Sequence, residues 1–225
     1  LVGSAGRAQT ATPATEITIP DSLFEPVTLP PELSFGYPPN TIYLPQILDL
    51  TRRRSFDTLE TMFSGLEADV ARNVKNEVRF SDAFQAFNRD EPPLLEHLDA
   101  WVAARPRSAH ARVARATYHF GTAWRRRGKA YIRDTPPEKI KAMEEFSKKA
   151  IDDLTAAMQR DSTHLVAYET LIEVAQLFGA HDVAAQALAR GLSMHRGSFN
   201  LYHAFVLMLW PRWGGSEQVM ADFGE

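Results

Sequence analysis

Apolar residues recur every three or four positions from about residue 55 to the end of the chain. Leu59, Phe63 and Leu66 share one face of a predicted helix, for which Asp57 is the expected N-cap. Similar spacing marks the segments that follow, and strand-like alternation of apolar and polar residues is absent after residue 55. The pattern therefore predicts an all-α domain over residues 55–225.

Proline, glycine and capping residues delimit the predicted helices. A second helix carries Val78, Phe80, Phe84 and Phe87. Pro92 opens a third, which Pro106 ends, and Thr135 with Glu138 forms a capping box before a long helix. The remaining predicted helices span 108–128, 136–160, 162–178, 181–195 and 198–210.

Residues 1–54 differ in composition from the rest of the chain. They hold eight of the 14 prolines, mixed with Thr, Ser and Ala, and lack a helical period. We interpret this segment as a Pro-rich tail or linker of mostly irregular structure, with a short extended piece at residues 16–19. Its apolar clusters at 42–44 and 47–48 are candidates for packing against the helical domain.

The two ends of the sequence suggest a processed or partial chain. Gly6 and Ala8 are small residues at the positions that a signal peptidase reads, so residues 1–8 fit the end of a signal peptide. An arbitrary start within a low-complexity tail fits equally well, so export to the periplasm or envelope and a cytoplasmic location both stay open. The last residues, ADFGE, end inside a predicted helix, and we expect the domain to continue beyond them.

Residues of matched size recur 34 positions apart in the second half of the chain. Ala150, Leu154 and Ala157 correspond to Ala184, Leu188 and Gly191, and Tyr168 corresponds to Tyr202. This period resembles the tetratricopeptide repeat, in which helical hairpins stack through small residues. The resemblance implies a helical-repeat array with a groove lined by the first helix of each hairpin.

The stretch YHFGTAWRRRG, residues 118–128, fits the first helix of such a repeat. Gly121 occupies the position at which a missing side chain lets a neighbouring helix approach, and Gly128 ends the helix. The match is incomplete, because about 16 extra residues separate this helix from its partner. In the last candidate repeat, Trp213 stands where a turn glycine is expected.

A second resemblance comes from residues near the end of the chain. The run Pro211-Arg212-Trp213-Gly214-Gly215-Ser216, together with Phe56-Asp57, Trp101-Val102 and Ala167-Tyr168, resembles a bacterial family of repeat proteins with no assigned function. The resemblance covers roughly residues 55–225 and implies a fold without implying an activity. We interpret the run itself as a structural corner, in which the glycines allow a tight turn and Ser216 caps the next helix.

Basic residues are concentrated in one segment of a chain whose net charge is -3. Residues 105–141 contain eleven Lys and Arg against Asp134 and Glu138, so the rest of the chain is acidic. If Gly121 occupies the repeat position, the groove is lined by Arg115, Tyr118, Thr122, Arg125, Arg126, Glu169, Glu173 and His203. Because guanidinium groups bind carboxylates in a fork, this set predicts a protein or peptide partner with acidic groups.

Several alternatives stay open at this point. Arg125, Arg126 and Arg127 also suit the C-terminus of a helix without any partner. An immunity or inhibitor protein for a secreted toxin is a specialised form of the binding hypothesis, and a hydrolase with its site scattered over several helices is the alternative from another class. Nucleic acid is not favoured, because the chain is slightly acidic overall.

Motifs for catalysis, metals and cofactors are absent from the sequence. The chain has no Cys, its seven His form no His-Glu-x-x-His pattern, and His110 and His119 are too far apart on one helix to share an ion. No run of apolar residues is long enough to span a membrane. We therefore expect no catalytic residues, no metal ligands, no cofactor and no transmembrane segment.

Overall fold

The computed structural model describes Tyr37 and residues 41–224, and this part of the chain contains ten α-helices. In chain order they are α1 Leu44–Arg52, α2 Phe56–Arg72, α3 Glu77–Gln85, α4 Pro92–Ala104, α5 Ala109–Arg127, α6 Pro137–Met158, α7 Leu165–Phe178, α8 His181–Met194, α9 Phe199–Met208 and α10 Glu217–Gly224. Short 3-10 turns precede α3 and α6 and follow α9. The all-α prediction is confirmed.

Helix α1 lies within the segment that the sequence assigns to the tail. Its Ile47 and Leu48 are buried, and the helix packs against α2, α3 and α4. The apolar cluster at 47–48 therefore belongs to the core, and the helical domain begins at Leu44 rather than at residue 55. The predicted extended piece at 16–19 and the signal-peptide hypothesis for residues 1–8 fall outside the described residues.

Two predicted caps are wrong, and two serines cap helices as expected. Asp57 lies in the first turn of α2, because Ser55 is its N-cap, and Thr135 donates to the carbonyl of Tyr131 at 2.9 Å instead of capping α6. Ser108 accepts from the amide of Ala111 at 2.9 Å, and Ser198 accepts from that of Leu201 at 3.2 Å. Side-chain caps of this kind satisfy amides that have no partner within the helix.

The core is rich in aromatic side chains from α2, α3 and α4. Phe63 and Trp101 are fully buried, and the Phe63 ring lies 4.5 Å from that of Phe84 and 5.9 Å from that of Trp101. Two aromatic side chains of the helices lie outside the core: Trp124 is 38% exposed and Phe178 is 45% exposed. Both lie at the C-terminal ends of their helices, where neighbouring helices no longer cover them.

Helices α5 and α6 pack along each other, as do α7 and α8, and α9 lies against the second pair. The residues matched at an offset of 34 have similar surroundings in α6 and α8: Ala150 and Leu154 are buried, as are Ala184 and Leu188. Gly191 lies against Leu201 and Tyr168, where a Cβ atom would come within 2.7 Å of Leu201 Cδ1. Small residues therefore allow close helix contacts in both halves of the match.

Helix α3 crosses the surface formed by α5 and α7 and contacts both helices. Glu77, at its start, is fully buried and accepts hydrogen bonds from Ser198 Oγ and, at 2.8 Å, from the amide of Phe199. The carboxylate therefore binds the N-terminus of α9, where amides without helical partners favour a negative group. Among the described residues, no helix has the length and apolar character needed to cross a membrane.

Candidate functional site

The groove predicted from the sequence is covered by a segment of the same chain. Residues 77–91, which comprise α3 and the loop after it, contact four of the eight predicted site residues. Thr122 donates to the carbonyl of Arg89 at 3.4 Å, and Arg126 lies 3.2 Å from the Asp90 carboxylate. The acidic ligand expected for these basic residues is thus supplied partly from within the chain.

Gly121 allows this segment to approach, but the neighbour is a loop rather than another repeat helix. A Cβ atom at Gly121 would lie 3.2 Å from the backbone carbon of Asn88 and would collide with the Asn88 side chain. Arg125 donates to Asn88 Oδ1 at 3.0 Å and to the Asn88 carbonyl at 2.8 Å. The guanidinium of Arg125 therefore holds the loop in place.

Tyr118 and Thr122 cannot line an open groove, because their exposed fractions are only 2% and 0%. Arg115 is also committed within the chain. It donates two hydrogen bonds of 2.7 Å to the carboxylate of Asp153 on α6 and a third of 2.7 Å to Asp99 on α4. These ion pairs raise the pKa of Arg115 and join three helices.

The predicted acidic residues lie where α7 meets α3 and α9. Ser81 Oγ donates to Glu169 Oε2 at 2.5 Å, and Asn200 donates to Ser81 Oγ at 2.8 Å. Burial raises the pKa of Glu169 to about 7, and the pKa of Glu173 is raised to about 8 by burial and by the charge of Glu169. His203 is exposed and stacks on Phe199, with ring centroids 5.5 Å apart.

The raised pKa of Glu173 predicts a loss of stability as the pH increases. Between about pH 4.5 and about pH 8, the unfolded chain releases this proton while the folded protein retains it, so folding becomes less favourable. Between about pH 5 and pH 8, the free energy of unfolding should fall less in Glu173→Gln than in the parent protein. The two decreases should differ by at least about 1 kcal/mol. Urea denaturation at the two pH values measures the difference, and Glu217→Gln at an exposed glutamate of α10 is the control. Equal decreases in the free energy of unfolding of Glu173→Gln and of the parent would contradict the prediction.

The run Pro211–Ser216 forms a tight corner between α9 and α10, as the sequence predicts. Gly214 has a φ of 91°, and a Cβ atom at Gly215 would overlap the backbone of Leu209. Ser216 Oγ accepts from the amide of Val219 at 3.2 Å. The corner also projects Trp213 toward α5, where its ring lies 5.4 Å from that of Trp124.

Trp213 forms one wall of a cavity of about 400 Å³, which we call the Trp213 pocket. The end of α5, the first half of α6, the end of α7 and the corner after α9 surround it. Its apolar lining comes from Ile132, Ile140, Met143, Leu177, Phe178 and Trp213. Its polar lining comes from Arg127, Glu144, Gln176 and Arg212.

Two guanidinium groups meet at Trp213. The Arg127 guanidinium carbon lies 5.0 Å from the centre of the Trp213 ring, and that of Arg212 lies 5.5 Å from the same ring. Arg127 is only 3% exposed, and both burial and the charge of Arg212 lower its pKa. The two arginines therefore repel each other, with Arg127 buried and Arg212 exposed to solvent.

Neither arginine has an acidic partner among the described residues. Arg127 donates to the carbonyls of Gly128 and Ala130, and Arg212 donates to that of Lys129. The Nε atom of Arg127 has no hydrogen-bond partner, and within the described part of the chain no carboxylate lies within 4.0 Å of either guanidinium. The pocket thus has unpaired donors and positive charge.

Large apolar side chains on the surface surround the Trp213 pocket. Tyr131 and Ile132 are 53% and 55% exposed, and Trp124 and Phe178 are exposed beside them. Contiguous exposed apolar groups are typical of interaction sites. The sequence singled out Trp124 and Trp213 for other reasons, but it did not predict that the two would meet.

A second cluster lies in the core, between α2, α5 and α7. His110 Nδ1 and His164 Nε2 are 3.2 Å apart, and Glu67 Oε2 lies 3.6 Å from His110 Nε2. Burial lowers the pKa of His164 to about 3, and burial with the nearby Asp161 raises that of Glu67 to about 8. From the sequence, His110 was assessed as a metal ligand only together with His119, whereas the fold places it beside His164.

Comparisons with known proteins identify a family but no function. Residues 43–191, well over half of the chain, match the model of a family described as a domain of unknown function, DUF4034. No curated protein and no solved structure matches the chain. The matched range begins just before α1, in agreement with the packing of that helix, and it ends before the corner at Pro211.

Proposed function

Because the chain belongs to the DUF4034 family, whose description names no activity, we propose a function from the geometry: the protein binds a peptide segment of another protein in the Trp213 pocket. The segment carries an acidic side chain or a terminal carboxylate beside an apolar residue. The observation that carries the proposal is the pair of guanidiniums, Arg127 and Arg212, that meet on one indole without an acidic partner in the described part of the chain.

The charge of the pocket supports an anionic ligand. A carboxylate placed between the two guanidiniums would relieve their repulsion and would accept from the Nε atom of Arg127, which has no partner. Because Arg127 is almost completely buried, its charge is poorly screened by water, and its attraction to an anion is stronger than that of a surface arginine.

The apolar lining supports a peptide rather than a nucleic acid. Phe178, Ile132 and Trp213 offer a surface on which an aliphatic or aromatic side chain can be buried. The arginines supply two positive charges at one point rather than a row that would follow successive phosphates. A short acidic and apolar segment fits both properties of the pocket.

The proposal keeps the interaction function expected from the sequence but assigns it to a different surface. We treat α5–α8 as two tetratricopeptide-like hairpins, supported by the similar burial of Leu154 and Leu188 at an offset of 34. Tyr168 is 2% exposed and Tyr202 is 43% exposed, so the likeness weakens toward α9. In this arrangement α3 fills the inner surface, and the end of the array is open for binding.

The converging Glu67, His110 and His164 do not favour the hydrolase alternative. His110 is 6% exposed and His164 is 0% exposed. A substrate would have to enter the core between α2 and α5 to reach these imidazoles.

Peptide selection tests the proposal. A displayed library of short random peptides is selected on the intact chain, and the affinity of each enriched peptide is then measured by fluorescence anisotropy. We expect enriched peptides to combine Asp or Glu with Leu, Phe or Met, and we expect Arg127→Met and Arg212→Met each to weaken binding about tenfold or more. Arg190→Met, at an exposed arginine of α8, is the matched control and keeps the parent affinity.

Three results would contradict the proposal. Enriched peptides without acidic residues would exclude the role of the two arginines. If Arg126→Met and Arg127→Met weaken peptide affinity equally, the binding site is the groove predicted from the sequence. Tight binding of a single-stranded oligonucleotide in preference to all peptides would favour nucleic acid instead.

A further inference from the structure

Three residues of metal-binding types converge from segments far apart in the sequence. Glu67 lies on α2, His110 is the second residue of α5, and His164 directly precedes α7. One nitrogen from each imidazole and one oxygen of the carboxylate all lie within 4.8 Å of one another. In the described part of the chain this is the one group of His, Asp and Glu residues with such spacing.

The spacing fits a small divalent cation. Nitrogen and oxygen ligands bind Zn²⁺ at about 2.0–2.2 Å in tetrahedral geometry, which places neighbouring ligand atoms about 3.3–3.6 Å apart. His110 contacts the other two residues through different nitrogens, Nδ1 with His164 at 3.2 Å and Nε2 with Glu67 at 3.6 Å. For one nitrogen of His110 to share an ion with them, the three ligand atoms must draw together from separations of up to 4.8 Å by side-chain rotation.

The hydrogen bonds of the cluster are incomplete. Glu67 Oε1 and His164 Nδ1 are both buried, and neither has a hydrogen-bond partner among the described residues. Buried polar atoms in folded proteins are nearly always paired, so two orphaned atoms in one cluster indicate a missing partner. A cation beside the carboxylate would give Glu67 Oε1 a favourable partner, whereas His164 faces His110 through its other nitrogen, Nε2.

The surroundings hold the imidazoles in place. The ring of His110 lies 5.8 Å from that of Phe63, and the ring of His164 lies 5.2 Å from Phe80 and 5.5 Å from Phe84. Ser64 Oγ lies 3.4 Å from His110 Nε2 and offers a further oxygen at the same place. A dry aromatic shell and preset rotamers are features of built metal sites.

We propose that Glu67, His110 and His164 bind a zinc ion, or a transition metal of similar preference, that joins α2, α5 and the start of α7. Two imidazoles with one carboxylate are a ligand set that suits Zn²⁺ better than Ca²⁺ or Mg²⁺, which prefer oxygen. Because both imidazoles are buried, the ion stabilises the fold rather than exposing a reactive position to substrates. This proposal does not depend on the Trp213 pocket.

Titration of the metal-stripped full chain with Co²⁺ and Zn²⁺ tests the site. We expect a single Co²⁺ to give the visible absorption of a tetrahedral complex, Zn²⁺ to displace it, and Zn²⁺ to raise the melting temperature by several degrees. His110→Gln and His164→Gln are expected to weaken Zn²⁺ binding about 100-fold or more, because each removes one of three ligands.

The matched control is His119→Gln, since His119 is also buried on α5 and also has an unpartnered Nδ1. It should bind the metal like the parent. If the two histidine variants do not fold, Glu67→Gln at a part-exposed position tests the third ligand and should weaken binding at least tenfold. Absence of the Co²⁺ absorption in the parent, or equal Zn²⁺ affinity in the parent and the ligand variants, would overturn the proposal.

Discussion

Arg115→Met should lower the free energy of unfolding by about 3 kcal/mol. The substitution removes both hydrogen bonds to the Asp153 carboxylate, whose side chain is only 5% exposed, and the hydrogen bond to Asp99. The loss of one partner from a largely buried ion pair leaves an uncompensated charge, which costs more than the pair itself contributes. Arg112, 3.4 Å from Asp153, retains part of the stabilisation. Urea denaturation of parent and variant measures the change.

Two further variants show whether the ion pair is the cause. Arg126→Met disrupts the more exposed pair with Asp90 and should cost less than about 1 kcal/mol. Arg115→Met combined with Asp153→Leu removes both charges and should recover much of the lost stability. If Arg115→Met unfolds like the parent but binds selected peptides more weakly, then Arg115 belongs to a binding surface, as the sequence suggested.

Gly121→Leu should destabilise the protein by about 3 kcal/mol. The new side chain would occupy the space of Asn88, whose backbone carbon lies 3.2 Å from the position of the added Cβ atom. The loop after α3 must then move, and the hydrogen bonds from Arg125 to Asn88 are lost with it. The free-energy cost of this overpacking exceeds the stabilisation that comes from replacing a glycine by a residue of higher helix propensity.

Gly65→Leu is the matched control for this substitution. Gly65 also lies inside a helix, but apart from the backbone of its own helix and its chain neighbours no atom lies within 4 Å of the position of its Cβ atom. The replacement should therefore stabilise the protein by about 0.5 kcal/mol through helix propensity alone. Thermal and urea denaturation of the two variants should shift in opposite directions. A Gly121→Leu protein as stable as the parent would exclude the close approach of the loop.

The helices were predictable because local signals determine them. Periodic apolar residues such as Phe63 and Leu66 form the core face of α2, and Pro92 and Gly128 mark the start of α4 and the end of α5. Helix α1 was missed, because the prolines around it outweighed a short apolar pattern at Ile47 and Leu48. Caps were less certain, since an acidic residue near a helix start suits the first turn as well as the N-cap.

The candidate sites depend on contacts that a repeat alignment does not contain. The period of 34 does not indicate that residues 77–91 fold across α5 and α7. It also does not indicate that this segment contacts Thr122, Arg125 and Arg126. Likewise, His110 and His164 are 54 positions apart, and only the fold makes them neighbours. One feature of the sequence did point to the pocket. Trp213 stands where a repeat would have a turn glycine, and this position lies at the end of the array, where the pocket forms.

The most direct test of the Trp213 pocket is a ¹⁹F NMR titration of the intact chain labelled with 5-fluorotryptophan. Trp213 lines the pocket and Trp124 contacts Trp213, whereas Trp101 is fully buried in the core beside Phe63. On addition of a selected acidic peptide, we predict that the Trp213 and Trp124 resonances shift while that of Trp101 does not, and that Arg127→Met suppresses the shifts. Binding of the same peptide with an unchanged Trp213 resonance would contradict the account.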